Sequence, residues 1–195
     1  MKMVIFEKWF INSARHAEKV IGRAEKLLQL VGVKEDQKYL EVGCGVGAVC
    51  KYVATRYGCD VTGVDVDPAQ IAEAQESCRG IPNVSFQKAD ATGLPFPDRN
   101  FDIVLSFGTT HHIPNWLDAL GEIRRIMKPE GHFIYYDLVY TELLAKLGRS
   151  LSHNYGIVTM PELNTFTRMN NLSTIHTSKK NSLIWYDYEA VYKSA

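Results

Sequence analysis

Short apolar runs alternate with helical stripes along most of the chain, and this alternation limits the fold more than any other feature. Lys38–Val42, Asp60–Asp65, Val84–Ala89, Asp102–Phe107 and His132–Val139 read as strands. Asp102–Phe107 is almost continuously apolar, as parallel strands covered on both faces are. Val46, Val49, Val53 and Tyr57 fall at helical spacing between the first two strands. Asp67 and Pro68 open the next helix as an N-cap and a first-turn proline, with Gln70 three residues after the cap. Asn115 caps a helix with Trp116, Leu120, Ile123 and Met127 on one stripe, which Lys128 and Pro129 close. A further helix over Ala17–Leu30 precedes the first strand. Strands alternating with helices predict an α/β, doubly wound, Rossmann-like parallel sheet with helices on both faces. In such sheets ligands bind beyond the carboxyl ends of the strands, so the residues after each strand are the ones to search.

The last third of the chain differs. Tyr140–Met160 carries one short helix around Glu142–Leu147, and Ser150–Gly156 reads as a lid bearing His153 and Tyr155. Thr159–Glu162 resembles a capping box for a helix with Leu163, Phe166 and Met169. Thr174–Ser178 and Ser182–Tyr192 read as an antiparallel hairpin around Lys179-Lys180-Asn181. The sheet is therefore expected to be mostly parallel and seven-stranded. At 195 residues the chain suits a single domain. Its parts would be an N-terminal helical cap (1–35), a core (38–139), the lid (140–160) and a C-terminal helix and hairpin (161–195). Phe6, Trp9, Phe10, Arg15 and His16 would belong to an amphipathic helix on that core.

Composition removes several classes. Lys plus Arg is 22 and Asp plus Glu is 22, a zero balance that speaks against affinity built on phosphate neutralisation, hence against nucleic acid. Cys44, Cys50, Cys59 and Cys78 form neither a CxxC pair nor a zinc pattern, so they read as buried thiols with no metal. No apolar run is long enough for a signal peptide core or a membrane span, and a cytoplasmic protein is expected. Nothing in the sequence reports an oligomeric state.

The first strand runs into Glu41-Val-Gly-Cys-Gly-Val-Gly-Ala48. Gly43, Gly45 and Gly47 allow positive φ and close approach of a ligand to the backbone. Alone they fit a bare tight turn, or the dinucleotide pattern GxGxxA through Gly43, Gly45 and Ala48. Asp65 ends the second strand, where a carboxylate can accept both hydroxyls of a ribose. Asp67 already serves as the cap, which leaves Asp65 free for a ligand. Asp90 follows the third strand and offers a further carboxylate on the same rim, or a loop bonding its own backbone.

Taken in order, Leu40–Gly47, Val61–Pro68, Val84–Ser106, His111–Asn115 and Glu122–Gly131 resemble the class I S-adenosylmethionine-dependent methyltransferases of the broad small-molecule type. One departure is Glu130, where that family usually has glycine in a structural turn. The resemblance implies S-adenosylmethionine as cofactor, S-adenosylhomocysteine as product, and methyl transfer to a small organic acceptor by in-line displacement. It places Glu41 near the methionine moiety, ordering the glycine loop, with Gly43, Cys44, Gly45 and Gly47 along the cofactor. Asp65 would bind the ribose, Val66 would lie against adenine, Asp90 would accept from the adenine amino group beside Ala91, and the Ser106 carbonyl would face the methionine amino group.

Rival readings are an NAD-type oxidoreductase, a cofactor-binding sensor or partner subunit without catalysis, and a macromolecule methyltransferase. A pyrophosphate needs an open helix N-terminus, whereas Glu41 stands just before the glycines. Some 40 residues also precede the motif, and no second domain remains for a hydride acceptor. For methyl transfer, orientation alone can supply roughly 7–11 kcal/mol, so a base is needed only where the acceptor must lose a proton. His111 and His112 are the candidates for it, although the family commonly has a non-basic His at the position of His112, which favours a structural role. Asp137, Tyr136 and Tyr140 end the fifth strand, where acceptors dock or side chains simply pack. Phe107, Tyr136, Tyr140 and Tyr155 suggest an apolar or aromatic acceptor. If Asp65 only binds ribose, Asp65→Ala should weaken S-adenosylmethionine binding at least about tenfold by calorimetry. The thermal midpoint of the ligand-free protein should then hardly move.

Overall fold

The computed structural model describes residues 14–151, 155–182 and 185–195. Helix α1 (Ala14–Leu28) precedes strand β1 (Lys38–Val42). There follow α2 (Ala48–Tyr57), β2 (Asp60–Asp65), α3 (Pro68–Ser77), β3 (Val84–Lys88) and β4 (Phe101–Phe107). A short 3-10 turn (Thr110–His112) leads to α4 (Trp116–Ile126), β5 (Met127–Tyr140), α5 (Glu142–Leu151), α6 (Met160–Met169), β6 (Leu172–Asn181) and β7 (Trp185–Ser194). The seven strands form one sheet in the order β3-β2-β1-β4-β5-β7-β6. The first five are parallel, and β7 pairs antiparallel with both β5 and β6.

Both faces of the sheet are apolar, which explains the unbroken runs in the sequence. Tyr39, Val61, Ile103, Leu105 and Ile134 point to one face, against Ala24 and Leu27 of α1 and Val49, Cys50 and Val53 of α2. Leu40, Val42, Val104, Phe133 and Tyr135 point to the other, against Trp116, Leu120 and Ile123 of α4 and Leu163 of α6. The two-residue strand period sends neighbours to opposite sides, so helices on both sides can be anchored by one strand. The chain leaves β1 toward β2 and β3, then returns to the far side of β1 as β4. The carboxyl ends of β1 and β4 therefore sit where strand order reverses, the usual place for a crevice.

Several expectations need correction. Helix α4 stops at Ile126, and Met127 already pairs with Phe101 at the start of β5. Lys128 thus lies in the strand, where its Nζ bonds Asp102 Oδ2 at 2.7 Å. Glu130 adopts a left-handed φ of 62°, the conformation that favours the glycine it replaces. Asn115 does not cap α4 through its side chain; its Nδ2 donates instead to Asp118. Thr159 donates to the Glu162 carboxylate at 2.6 Å rather than capping a backbone N–H. Met169 is 75% exposed and leaves the stripe formed by Leu163 and Phe166. Lys179, Lys180 and Asn181 lie within β6, paired with Tyr188, Asp187 and Tyr186, so the hairpin turns further along the chain. Lys179 Nζ sits 5.4 Å from the centroid of the Tyr186 ring, within reach of a cation–π attraction. The four cysteines are free and buried. Phe6, Trp9, Phe10 and His153 lie outside the described residues.

One steric constraint ties β2 to β3 and to the turn after β1. A Cβ on Gly63 would sit 2.6 Å from Phe86 Cδ1 and 3.0 Å from Cys44 Sγ. Gly63→Ala should cost about 1–3 kcal/mol by overpacking, a fall of several degrees in thermal midpoint for a chain this size. Phe86→Leu in the same chain should restore part of it, and a double-mutant cycle measures the coupling.

Candidate active site

The turn after β1 is held by backbone groups of its neighbour. Gly43 N–H and Cys44 N–H both donate to the Val64 carbonyl, at 2.8 and 2.9 Å. Gly45 N–H donates to Asp65 Oδ2 at 3.0 Å, and Asp67 N–H donates to Asp65 Oδ1 at 2.9 Å. The Asp65 carboxylate therefore clasps the glycine turn and the start of α3 together. Asp67 does cap α3, accepting from Ala69 N–H at 2.9 Å, but Asp65 is not the free carboxylate the sequence suggested. The two glycines at the ends of the turn have different tasks. At Gly43 (φ 77°) a Cβ would lie 2.2 Å from Thr109 Oγ1, whose hydroxyl bonds the carbonyls of Val42 and Phe107 across the ends of β1 and β4. At Gly47 (φ 77°) it would meet the Phe86 ring at 2.7 Å, so that residue serves packing.

A cavity of about 450 Å³ opens over the carboxyl ends of β1, β2, β4 and β5, roofed on one side by His16 and Val20 of α1. Of the residues singled out in the sequence, Gly43, Gly45, Asp65, Val66, Asp90, Ala91, His111 and His112 line it. Glu41 and Cys44 border a smaller neighbouring space of about 80 Å³ that shares Gly43 and Gly45. Ser106 is fully buried within β4, and the wall there is made by Phe107, Gly108 and Thr109. Thr109 and Thr110 were missed by sequence reasoning. The signal that could have found them is position, since they directly follow a strand that ends at the reversal point. Tyr136 and Asp137 line the cavity, whereas Tyr140 does not, and Tyr155 is half exposed beyond it. The Arg23 guanidinium of α1 lies 3.4 Å from the centroid of the Tyr136 ring and fastens the roof to β5.

The carboxyl groups of the site are held in different states. Burial pushes the Glu41 carboxyl up to about 8, against the opposing hydrogen bond from the Cys50 thiol at 2.9 Å. Burial likewise raises Asp65, partly offset by the N–H groups of Asp67 and Gly45. Asp90 is held below the usual carboxylate range because its Oδ1 accepts from the Thr92 N–H and hydroxyl, at 2.9 and 2.8 Å. Asp137 is fully buried in β5. Burial raises it, but hydrogen bonds from His111 and Thr110 outweigh burial and keep its carboxyl below the usual range. Among the described residues no cluster of three metal-ligating side chains occurs.

A parallel doubly wound sheet, a glycine turn after its first strand and carboxylates at the ends of the next two strands define a nucleoside-cofactor-binding α/β domain. Residues 40–135 match the family model described as a methyltransferase domain. The sterol 24-C-methyltransferase of Eremothecium gossypii is 34% identical over 139 residues, 70% of this chain and 35% of that protein. The chloroplastic tocopherol O-methyltransferase of Arabidopsis thaliana is 29% identical over 144 residues, 69% of this chain and 41% of that one. The chain thus spans about a third to two fifths of the curated relatives it matches. In fold it is similar to the geranyl diphosphate C-methyltransferase of Streptomyces coelicolor, with a TM-score of 0.75 at 16% identity over 94% of this chain and 87% of that one. It is equally similar in fold to the 4+2-cyclase SpnF, with a TM-score of 0.75 at 18% identity over 89% and 80%. Through its matching domain the chain belongs to the class I S-adenosylmethionine-dependent methyltransferases.

The residues present fit that family's cofactor. Each oxygen of Asp65 spends one lone pair on a backbone N–H and keeps another for a hydroxyl. Asp90 Oδ2 carries no hydrogen bond from the described residues. Gln70 Oε1, buried and unpartnered, lies 3.7 Å from where a Gly45 Cβ would be, so the turn has polar capacity left beside it.

Asp65→Ala should lower the ligand-free thermal midpoint as well as cofactor affinity, because two backbone N–H groups lose their acceptor at about 1–3 kcal/mol each. Asp65→Asn, which keeps one acceptor, should retain more of the midpoint than of the affinity. For Glu41 the folded value of about 8 exceeds the ordinary 4.5, so the folded state holds the extra proton. Its stabilising effect is complete below about pH 4.5 and is lost as the pH rises through 8. Glu41→Gln should flatten that fall, seen by comparing thermal midpoints at about pH 5.5 and about pH 8.5.

Proposed function

We propose that the protein transfers a methyl group from S-adenosylmethionine to a small, largely apolar organic acceptor. The observation that carries this reading is the cavity of about 450 Å³, in which the glycine turn, Asp65 and Asp90 meet the Phe107, Tyr136 and His111 wall in one space. That volume suits a nucleoside cofactor with a small acceptor beside it. Asp65 would take the ribose hydroxyls, Asp90 the adenine amino group through its free oxygen, and Val66 and Ala91 the faces of the ring. Gly43 and Gly45 would let the methionine portion run close to the backbone, with Glu41 beneath the turn and Cys44 beside it.

S-adenosylmethionine, when bound, supplies an electrophilic methyl group on a sulfonium. The chain's own part is to hold the acceptor in line with it and to exclude water, and alignment of this kind supplies much of such a rate. Thr109 fixes the ends of β1 and β4 relative to each other, which sets the distance across the cavity. The Arg23–Tyr136 contact keeps α1 over the opening.

The chain reads as one methyltransferase unit, with α1 in the N-terminal cap and residues 140–160 as the acceptor-side lid. Zero net charge supports a small acceptor over nucleic acid. No helix of the described residues is long and apolar enough to cross a membrane, and four free buried thiols support a cytoplasmic setting. The likeness to a cyclase of the same fold keeps one second reading in play, a cofactor-binding protein that does not transfer methyl groups. Calorimetry should show heat with S-adenosylmethionine and none with NAD; the reverse would overturn the proposal. Radiolabelled methyl groups should appear in the small-molecule fraction of a cell extract, not in its RNA or protein. Cofactor binding without any transfer would select the second reading.

A further inference from the structure

One ionisable pair at the cavity has a geometry that packing alone does not require. The Asp137 carboxylate is fully buried and receives four close donors. Its Oδ2 accepts from Thr110 N–H at 2.7 Å and from the Thr110 hydroxyl at 2.6 Å. Its Oδ1 accepts from Leu138 N–H at 2.7 Å and meets His111 Nδ1 at 2.5 Å. The Thr110 hydroxyl stands 2.8 Å from the Tyr135 hydroxyl, so Tyr135 donates to it and leaves its proton for Asp137. An ionised carboxylate only accepts. Nδ1 of His111 must therefore carry the proton, and in the neutral ring Nε2 is the bare nitrogen. No described residue hydrogen-bonds Nε2, while the His111 ring lines the cavity.

Resting on the methyltransferase reading above, we propose that His111 is the proton acceptor of the reaction, that Asp137 is the residue that positions it, and that the acceptor molecule is methylated on a hydroxyl oxygen. In the step, Nε2 takes the hydroxyl proton. The electron pair of the broken O–H bond stays on oxygen, which uses a lone pair to bond the methyl carbon. The bonding pair between that carbon and sulfur remains on sulfur, leaving neutral S-adenosylhomocysteine. The imidazolium then releases its proton to water, and Asp137 stays ionised throughout, stabilising the charged ring. A carboxylic acid acceptor would already be ionised and would need no such base.

His112, whose ring centroid is 3.9 Å from that of His111, lies against it at a tilt of 42°, and His16, Asp65 and Asp90 share the cavity with it. A tautomer is therefore a cleaner reporter than a titration midpoint. In protein labelled with nitrogen-15 at histidine, long-range proton–nitrogen spectra at high pH should show His111 protonated on Nδ1 and bare at Nε2, with no cofactor present. Asp137→Asn, whose amide can donate to Nδ1, should move the proton to Nε2. A wild-type ring protonated on Nε2, or a tautomer unmoved by Asp137→Asn, overturns the positioning role.

His111→Asn keeps a donor toward Asp137 and removes only Nε2, so it separates bracing from chemistry. It should leave the S-adenosylhomocysteine dissociation constant within about twofold, while transfer to phenols and aliphatic alcohols falls about a hundredfold or more. His111→Gln, which keeps a nitrogen near Nε2 but loses the link to Asp137, should fall comparably. Hydroxyl methylation unchanged in His111→Asn overturns the proposal. So does transfer confined to carboxylic acids or carbon, although cofactor binding and methyl transfer would then still stand. Failure of the wild-type protein to bind cofactor would instead sink the methyltransferase reading, while the cofactor-free spectra test the His111–Asp137 pair independently of it.

Discussion

The rim of this molecule depends on one carboxylate shared by two backbone N–H groups. Asp65 ties Gly45 to Asp67, so the turn after β1 and the first turn of α3 form one unit at the end of β2. Charge-assisted bonds of this kind are about twice as strong as neutral ones. They also use directions that would otherwise meet water, since Asp65 is half buried. The Val64 carbonyl completes the clasp by accepting from Gly43 and Cys44. The glycine turn and the start of α3 are therefore placed on this side of the cavity through their own backbone N–H groups.

The opposite wall follows another principle. There the turn at Thr110–His112 hangs from a single buried acid, Asp137, through both its backbone and its side chains. A buried charge is costly unless every acceptor direction is satisfied, and here the donors come from Thr110, His111 and Leu138. Glu41 represents the third solution. It is buried with a single thiol partner and is favoured in its neutral form. Three acids within one site thus take three protonation behaviours because they have four, two and one close donors of differing strength.

Much of this was legible in the chain. The strands β1, β2 and β4 and the Asp-Pro start of α3 were readable because local propensity and the two-faced core demand the same thing there. The hairpin boundaries were not, because Lys179 and Lys180 look like turn residues and their pairing with β7 comes from tertiary contacts. The helix stop at Ile126 was obscured because Lys128-Pro129 is a good terminator in isolation, while the pairing of Met127 with Phe101 ends the helix sooner. In the site, glycines and carboxylates after strands stood out by spacing. The structural duty of Asp65 did not, since backbone donors leave no mark in side-chain identity. The meeting of His111 with Asp137 joins positions 26 residues apart and needs the register of β4 on β5 to be seen.

Gly156 gives the fold an asymmetry of tolerance. Its N–H donates to the His111 carbonyl at 3.0 Å, and a Cβ there would lie 2.0 Å from the Thr110 oxygen. Among the described residues between β5 and α6, Gly156 meets the histidine turn through its backbone, while the glycine turn, Asp65 and Asp90 belong to earlier parts of the chain. The exposed face of α5, with Leu143 and Leu147, can therefore vary without disturbing the glycine turn. Gly156, pressed against the Thr110 and Ile113 carbonyls, is the position that has to stay without a side chain.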